Sequence, residues 1–132
     1  MPKKQTQKTG SDKYVLIIED ERPLAHALEL KFRNEGYETT VMTNGRDALE
    51  HIKNSVPCII LLDLIMPEMD GFAFLEQLQV ANISTKVIVL TNLGQKEDEE
   101  RVRTYANVVG YFVKSNTPIA EIVRKAKSVI SS

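Results

Sequence analysis

The chain has 132 residues, 42% of them hydrophobic and 27% charged, which suits one globular domain and excludes a disordered chain or a coiled coil. A net charge of −1 gives no basis for nucleic-acid or membrane binding by the whole surface. No apolar run approaches the roughly 18 residues of a membrane span, and the single cysteine, Cys58, excludes an internal disulfide.

Residues 1–12 are polar, lack the apolar stretch of a secretory signal and read as a flexible tail, leaving 13–132 as the domain. Tyr14–Ile18 is a short buried strand by length and content. Leu24, Leu28 and Phe32 then recur at i, i+4 and i+8, so Pro23 to Glu35 is an amphipathic helix, with Pro23 in its first turn and Gly36 as its stop. Tyr37–Thr43 is β-branched and charged, as an edge strand is. Arg46 to Asn54 sets Ala48, Leu49 and Ile52 on one helical face, and Cys58–Leu62 is the next strand, with Cys58 a small core residue suited to a reducing cytosol. Asp70 is the N-cap of a helix carrying Phe72, Leu75 and Leu78. Strand Val87–Leu90 follows, then a charged, solvated helix over Gln95 to Ala106, then strand Val108–Val113. Thr117 reads as N-cap of the final helix, with Pro118 at its first position and Ile119, Ile122, Val123, Ala126, Val129 and Ile130 as its packing stripe.

Five strands and five helices in strict alternation predict an α/β fold, a parallel sheet with helices on both faces. In such sheets ligands bind at the carboxyl ends of the strands. Four apolar runs end in polar residues at that edge: Tyr14–Ile18 in Glu19-Asp20, Cys58–Leu62 in Asp63, Val87–Leu90 in Thr91 and Val108–Val113 in Lys114. Each has an ordinary explanation alone, such as a solvated loop, a strand terminator or a lysine whose stem covers the core. Their convergence on one edge points to a site.

The chemistry follows from the residue types. Glu19, Asp20 and Asp63 repel one another unless a cation joins them, and a hard divalent ion such as Mg2+ takes oxygen ligands of this kind. Asp20 and Asp63 are the expected direct ligands, Glu19 binds directly or through water, and the backbone carbonyl of Ile65 is a further candidate. Ionised Asp63 is a nucleophile for a phosphoryl donor, with Lys114 and the Thr91 hydroxyl placed to meet phosphoryl oxygens. His26 and His51 lie on helices, far along the sequence from these ends, and read as ordinary helix-face residues.

The segments Ile17-Ile18-Glu19-Asp20-Glu21, Leu61 to Gly71 with its Asp-x-x-Met-Pro-x-Met-Asp-Gly loop, Val89-Leu90-Thr91 and Gly110 to Lys114 together resemble the receiver domains of bacterial two-component response regulators. The likeness runs from about Tyr14 to Ile130. It implies a flavodoxin-like sheet of order 2-1-3-4-5, Mg2+ as cofactor, and phosphorylation of Asp63 by a sensor histidine kinase or a histidine phosphotransfer protein. It also implies a cytoplasmic signalling switch rather than an enzyme: Thr91 moves toward the phosphoryl group, Tyr111 turns inward, and the face made by the fourth helix, fifth strand and fifth helix is remodelled. That face would act on a downstream protein or an output domain absent from this sequence, or pair with a second phosphorylated copy, without nucleic-acid or membrane contact of its own.

Three departures stand out. Ser115 follows Lys114 where the family has a cis proline, which leaves the geometry of that peptide open. Asn92 is larger than the usual residue after Thr91, and Ile65 and Leu93 are apolar where some members orient an attacking water, which predicts slow self-dephosphorylation. Two other readings compete: a receiver-like binding module that never takes phosphate, and a Mg2+-dependent aspartyl phosphatase. The second lacks its acid–base aspartate, because Ile65 stands two residues after Asp63.

Overall fold

The computed structural model describes residues 13–92 and 94–131, so the expected tail over residues 1–12 and the side chain of Leu93 lie outside the described residues. Strands and helices alternate throughout that span: β1 (Tyr14–Ile18), α1 (Arg22–Asn34), β2 (Glu38–Met42), α2 (Gly45–Ile52), β3 (Ile59–Asp63), α3 (Gly71–Val80), β4 (Lys86–Thr91), α4 (Lys96–Arg103), β5 (Val108–Val113) and α5 (Ile119–Ser131). The sheet is parallel throughout, in the order β2-β1-β3-β4-β5. The chain moves outward from β1 to β2, then crosses back to β3. That reversal makes the crevice between β1 and β3 the switch point where ligands bind in open parallel sheets.

Every residue of β1 and β3 is buried, because helices cover both faces. The pleat divides the core in two. Leu16, Ile18, Ile60, Leu62, Val87 and Val89 pack under α2, α3 and α4, while Val15, Ile17, Ile59, Leu61, Ile88 and Leu90 pack under α1 and α5. Each fully buried Leu, Ile or Phe contributes roughly 1.5–3 kcal/mol, so the strand ends are carried on a stiff platform.

Local chemistry explains the element ends. Gly36 takes φ +93° just past α1, and Tyr37 N–H reaches back to Phe32 O at 3.0 Å, the usual way a left-handed residue closes a helix. Tyr37 is therefore buried against Phe32 rather than part of β2. α2 starts earlier than its apolar spacing suggests, because the Asn44 side chain caps it by accepting from Asp47 N–H at 2.8 Å. α4 stops at Arg103, short of Ala106, where the Thr104 hydroxyl donates to Arg101 O at 2.7 Å. Thr117 is not the cap of α5: its hydroxyl donates backward to Val113 O at 2.9 Å, and α5 opens at Ile119 with Pro118 O accepting from Glu121 and Ile122. Cys58 is half-buried, one residue ahead of β3, with its thiol 3.0 Å from Tyr14 O.

The loop from Asp63 to α3 is held by two features. Asp70 accepts from Ala73 N–H at 2.9 Å as the N-cap, and Gly71 N–H donates to Leu64 O at 2.8 Å. A Cβ on Gly71 would lie 2.6 Å from Leu64 Cα and 2.9 Å from Asp63 O, so only glycine allows this approach. Gly71→Ala is expected to cost about 2–3 kcal/mol and to lower the denaturant midpoint accordingly; an unchanged midpoint would show that the loop is free to move away.

Candidate functional site

The register brings the expected residues together. Ile18 is opposite both Met42 and Leu62, so Glu19 emerges beside Asp63; Asp63 is opposite Leu90 and Thr91 opposite Val113, which places Thr91 and Lys114 along the same edge. Glu19, Asp63 and Thr91 are buried, and Asp20 is exposed at the mouth. Lys114 reaches across the sheet to Glu19, with Nζ 2.9 Å from each carboxylate oxygen, to Asp63 Oδ2 at 3.2 Å and to Glu21 Oε1 at 3.6 Å. Glu19 Oε2 also accepts from Glu21 N–H at 3.0 Å, and Asp63 Oδ1 from Ile65 N–H at 3.2 Å.

Lys114 therefore engages Glu19 more closely than Asp63. The lysine segment is reached without a cis peptide: the Lys114–Ser115 bond is trans, and Lys114–Asn116 forms one 3-10 turn. Thr117 straps that turn to Val113 through its hydroxyl. The sequence did not single out Glu21 or Thr117 for these roles, since both are polar loop residues whose partners lie elsewhere along the chain.

Burial pushes the Asp63 carboxyl up, the charge of Glu19 adds to this, and the nearby Lys114 opposes it; the result is a pKa of about 7. Burial alone would lower the Lys114 ammonium, but its hydrogen bond to Glu19 and the charge of Asp63 outweigh that and raise it. One lysine thus leaves negative charge over. Carboxylate oxygens of Glu19, Asp20 and Asp63 lie within 4.8 Å of one another, and Glu19 Oε1 is buried without hydrogen-bond geometry to any partner. A hard oxygen set with an underused acceptor fits a small divalent cation.

The two histidines behave differently from each other. His26 is exposed on α1. His51 is more than a helix-face residue: its Nε2 meets the hydroxyl of Tyr14, which also donates to Thr40 Oγ1 at 2.8 Å. Tyr14 begins β1, so this network closes the sheet edge opposite the acidic site. Tyr111 is half-buried in β5, its hydroxyl pushed up first by burial and then by Asp98 and Glu99 of α4.

A sequence model of the response regulator receiver domain matches residues 15–127. The chain belongs to that family. Among its curated relatives, this receiver domain is 29% identical over 116 residues to the cell cycle transcriptional regulator CtrA of Caulobacter vibrioides, covering 88% of this chain and 49% of CtrA. It is 33% identical over 81 residues to sporulation initiation phosphotransferase F of Bacillus subtilis, covering 61% of this chain and 65% of that one. The chain thus spans less than two thirds of the length of either relative. Among solved structures, the response regulator TrrA of Thermotoga maritima, in complex with Mg(2+)-BeF, aligns with a TM-score of 0.75 at 26% identity, over 89% of this chain and 98% of that one. Among the described residues of the receiver domain, no helix is long and apolar enough to cross a membrane.

The electrostatics give a stability test. Asp63 binds its proton more tightly in the fold, with a pKa of about 7, than an ordinary aspartate does at 3.8, so its contribution is fully present below 3.8 and is lost as pH rises through about 7. In metal-free buffer Asp63→Asn is therefore expected to raise Tm at pH 8, by about 3–5 °C for each kcal/mol of relieved repulsion. The gain shrinks toward pH 5. A variant less stable than the wild type at pH 8 would contradict this charge balance.

Proposed function

We propose that this receiver domain accepts a phosphoryl group on Asp63 from a phosphohistidine donor, either a sensor histidine kinase or a histidine phosphotransfer protein, with Mg2+ as cofactor. The observation that carries the reading is the buried Asp63 carboxylate, set 3.2 Å from Lys114 Nζ inside an oxygen cluster suited to a divalent ion. An Asp63 oxygen attacks phosphorus, a P–O bond forms, the donor's P–N bond breaks, and the freed imidazole takes a proton from solvent. Mg2+, when bound by Asp20, Asp63, the Ile65 carbonyl and Glu19 directly or through water, supplies positive charge that keeps Asp63 ionised and shields the transferring group.

The chain's own residues do the rest. Lys114 is already oriented toward Asp63 and needs only to exchange Glu19 for a phosphoryl oxygen. The Ile65 N–H, 3.2 Å from Asp63 Oδ1, fixes the carboxylate plane. Thr91, at the end of β4, is placed to donate its hydroxyl to the new group and to draw the start of the β4–α4 connection with it. Such a transition state is loose and highly charged, so positioning and electrostatics supply most of the catalysis. The phosphoryl group stays on the protein, which is why we assign a signalling phosphoacceptor rather than an enzyme with a separate product.

Tyr111 links this chemistry to the surface. It lines a groove of about 560 Å³ together with Arg103, Phe112, Arg124 and Lys125, between α4, the edge strand β5 and α5. We assign this face to a downstream protein, an output domain or a second phosphorylated copy, and place the whole switch in the cytoplasm. The Ile65 side chain, 55% exposed beside Asp63, offers water no polar group, which supports slow self-dephosphorylation.

Intact mass spectrometry with acetyl phosphate tests the assignment. A gain of one phosphoryl unit is expected, dependent on Mg2+, absent in Asp63→Asn, and decaying over minutes or longer once the donor is removed. No gain, even with a competent kinase, would leave a phosphate-independent binding module; loss within seconds would contradict the slow hydrolysis.

A further inference from the structure

Among the described helices α4 has the thinnest anchor, with only Val102 buried against three or four residues in each of the others. Two polar contacts tie its segment to α3. The Arg101 guanidinium carbon lies 3.8 Å from the centroid of the Phe72 ring, a close cation–π geometry, and the Tyr105 hydroxyl donates to Glu76 Oε1 at 3.0 Å. Phe72 is the second residue of α3, directly after Gly71, which is pinned to Leu64 O and crowded against Asp63 O. Arg101 is therefore fastened, through one ring, to the loop that carries the phosphoacceptor.

We infer that the Arg101–Phe72 contact is an autoinhibitory latch, which holds α4 against the phosphoacceptor loop while Asp63 is unmodified and opens when the domain switches. The contact coexists with Lys114 seated on Glu19, the arrangement of an unmodified site. The chain leaves β4 at Thr91 and enters α4 at Lys96, so a pull on Thr91 is delivered to α4 within one short connection. With a single buried side chain to hold it, α4 responds by shifting over the sheet, and a ring contact as short as this one does not survive such a shift. An interaction made in one state only biases the equilibrium by its own strength. Removing it favours the modified state and tightens any ligand that selects that state.

This inference rests on the phosphoacceptor reading, and one titration separates the two. Beryllium fluoride with saturating Mg2+ serves as the phosphoryl mimic, followed by 1H–15N NMR on the wild type, Arg101→Gln, Phe72→Leu and the double variant, with Lys96→Gln as a control of equal charge change on the same helix. We expect about threefold tighter binding in each single variant, no further gain in the double variant, and no change in Lys96→Gln. Wild-type binding with unchanged or weaker affinity in the single variants overturns the latch alone, as do gains that add in the double variant. A wild type that does not bind beryllium fluoride at all overturns the phosphoacceptor reading, and the latch with it.

Discussion

Lys114 brings one positive charge into a pocket that holds two buried carboxylates, Glu19 and Asp63, with Asp20 at its mouth. Losing Lys114 would leave two buried carboxylates without their cation, which is far more costly than losing a surface pair. The lysine lies closer to Glu19 than to Asp63, and burial, with the charge of Glu19 added to it, lifts the Asp63 carboxyl. A site built this way is tense: one lysine holds two buried carboxylates, and further positive charge relieves their repulsion.

The fold makes that arrangement affordable. Glu19, Asp63, Thr91 and Lys114 lie at or just past the ends of four different strands, and the fully buried β1 and β3 keep the two carboxylates side by side. Gly71 and the Asp70 cap hold α3 hard against the Asp63 backbone, so little of the site rests on loosely held loop. Rigidity is unevenly spread, however. β5 is an edge strand with half-buried side chains, and α4 beside it buries one residue. The stiff centre thus borders a more loosely packed edge at β5 and α4.

Much of this was legible in the sequence, because the signals were local. Apolar runs of strand length gave β1, β3, β4 and β5, and their polar terminators gave Glu19, Asp20, Asp63, Thr91 and Lys114. Asp70 announced its own helix. What could not be read were choices between partners distant in sequence. Nothing in the pattern says that Lys114 sits closer to Glu19 than to Asp63, or that Arg101 selects the Phe72 ring. Asn107 is a polar loop residue by sequence, yet its buried amide bridges Ile83 O and Thr85 O at 2.8 Å each and fixes the connection into β4. Thr117 likewise had a plausible local role as a cap, but the preceding 3-10 turn put the Val113 carbonyl within reach, and the hydroxyl turned back to it.

The central claim is that one lysine leaves the acidic edge short of positive charge, and that a divalent cation completes it. A Mg2+ titration followed by the backbone amide signals of the unphosphorylated protein tests this most directly. The account predicts saturable binding at one site, with Glu19, Asp20, Asp63 and Ile65 shifting first, and loss of that binding in Asp20→Asn. Shifts that never saturate, or that begin away from this edge, would contradict it.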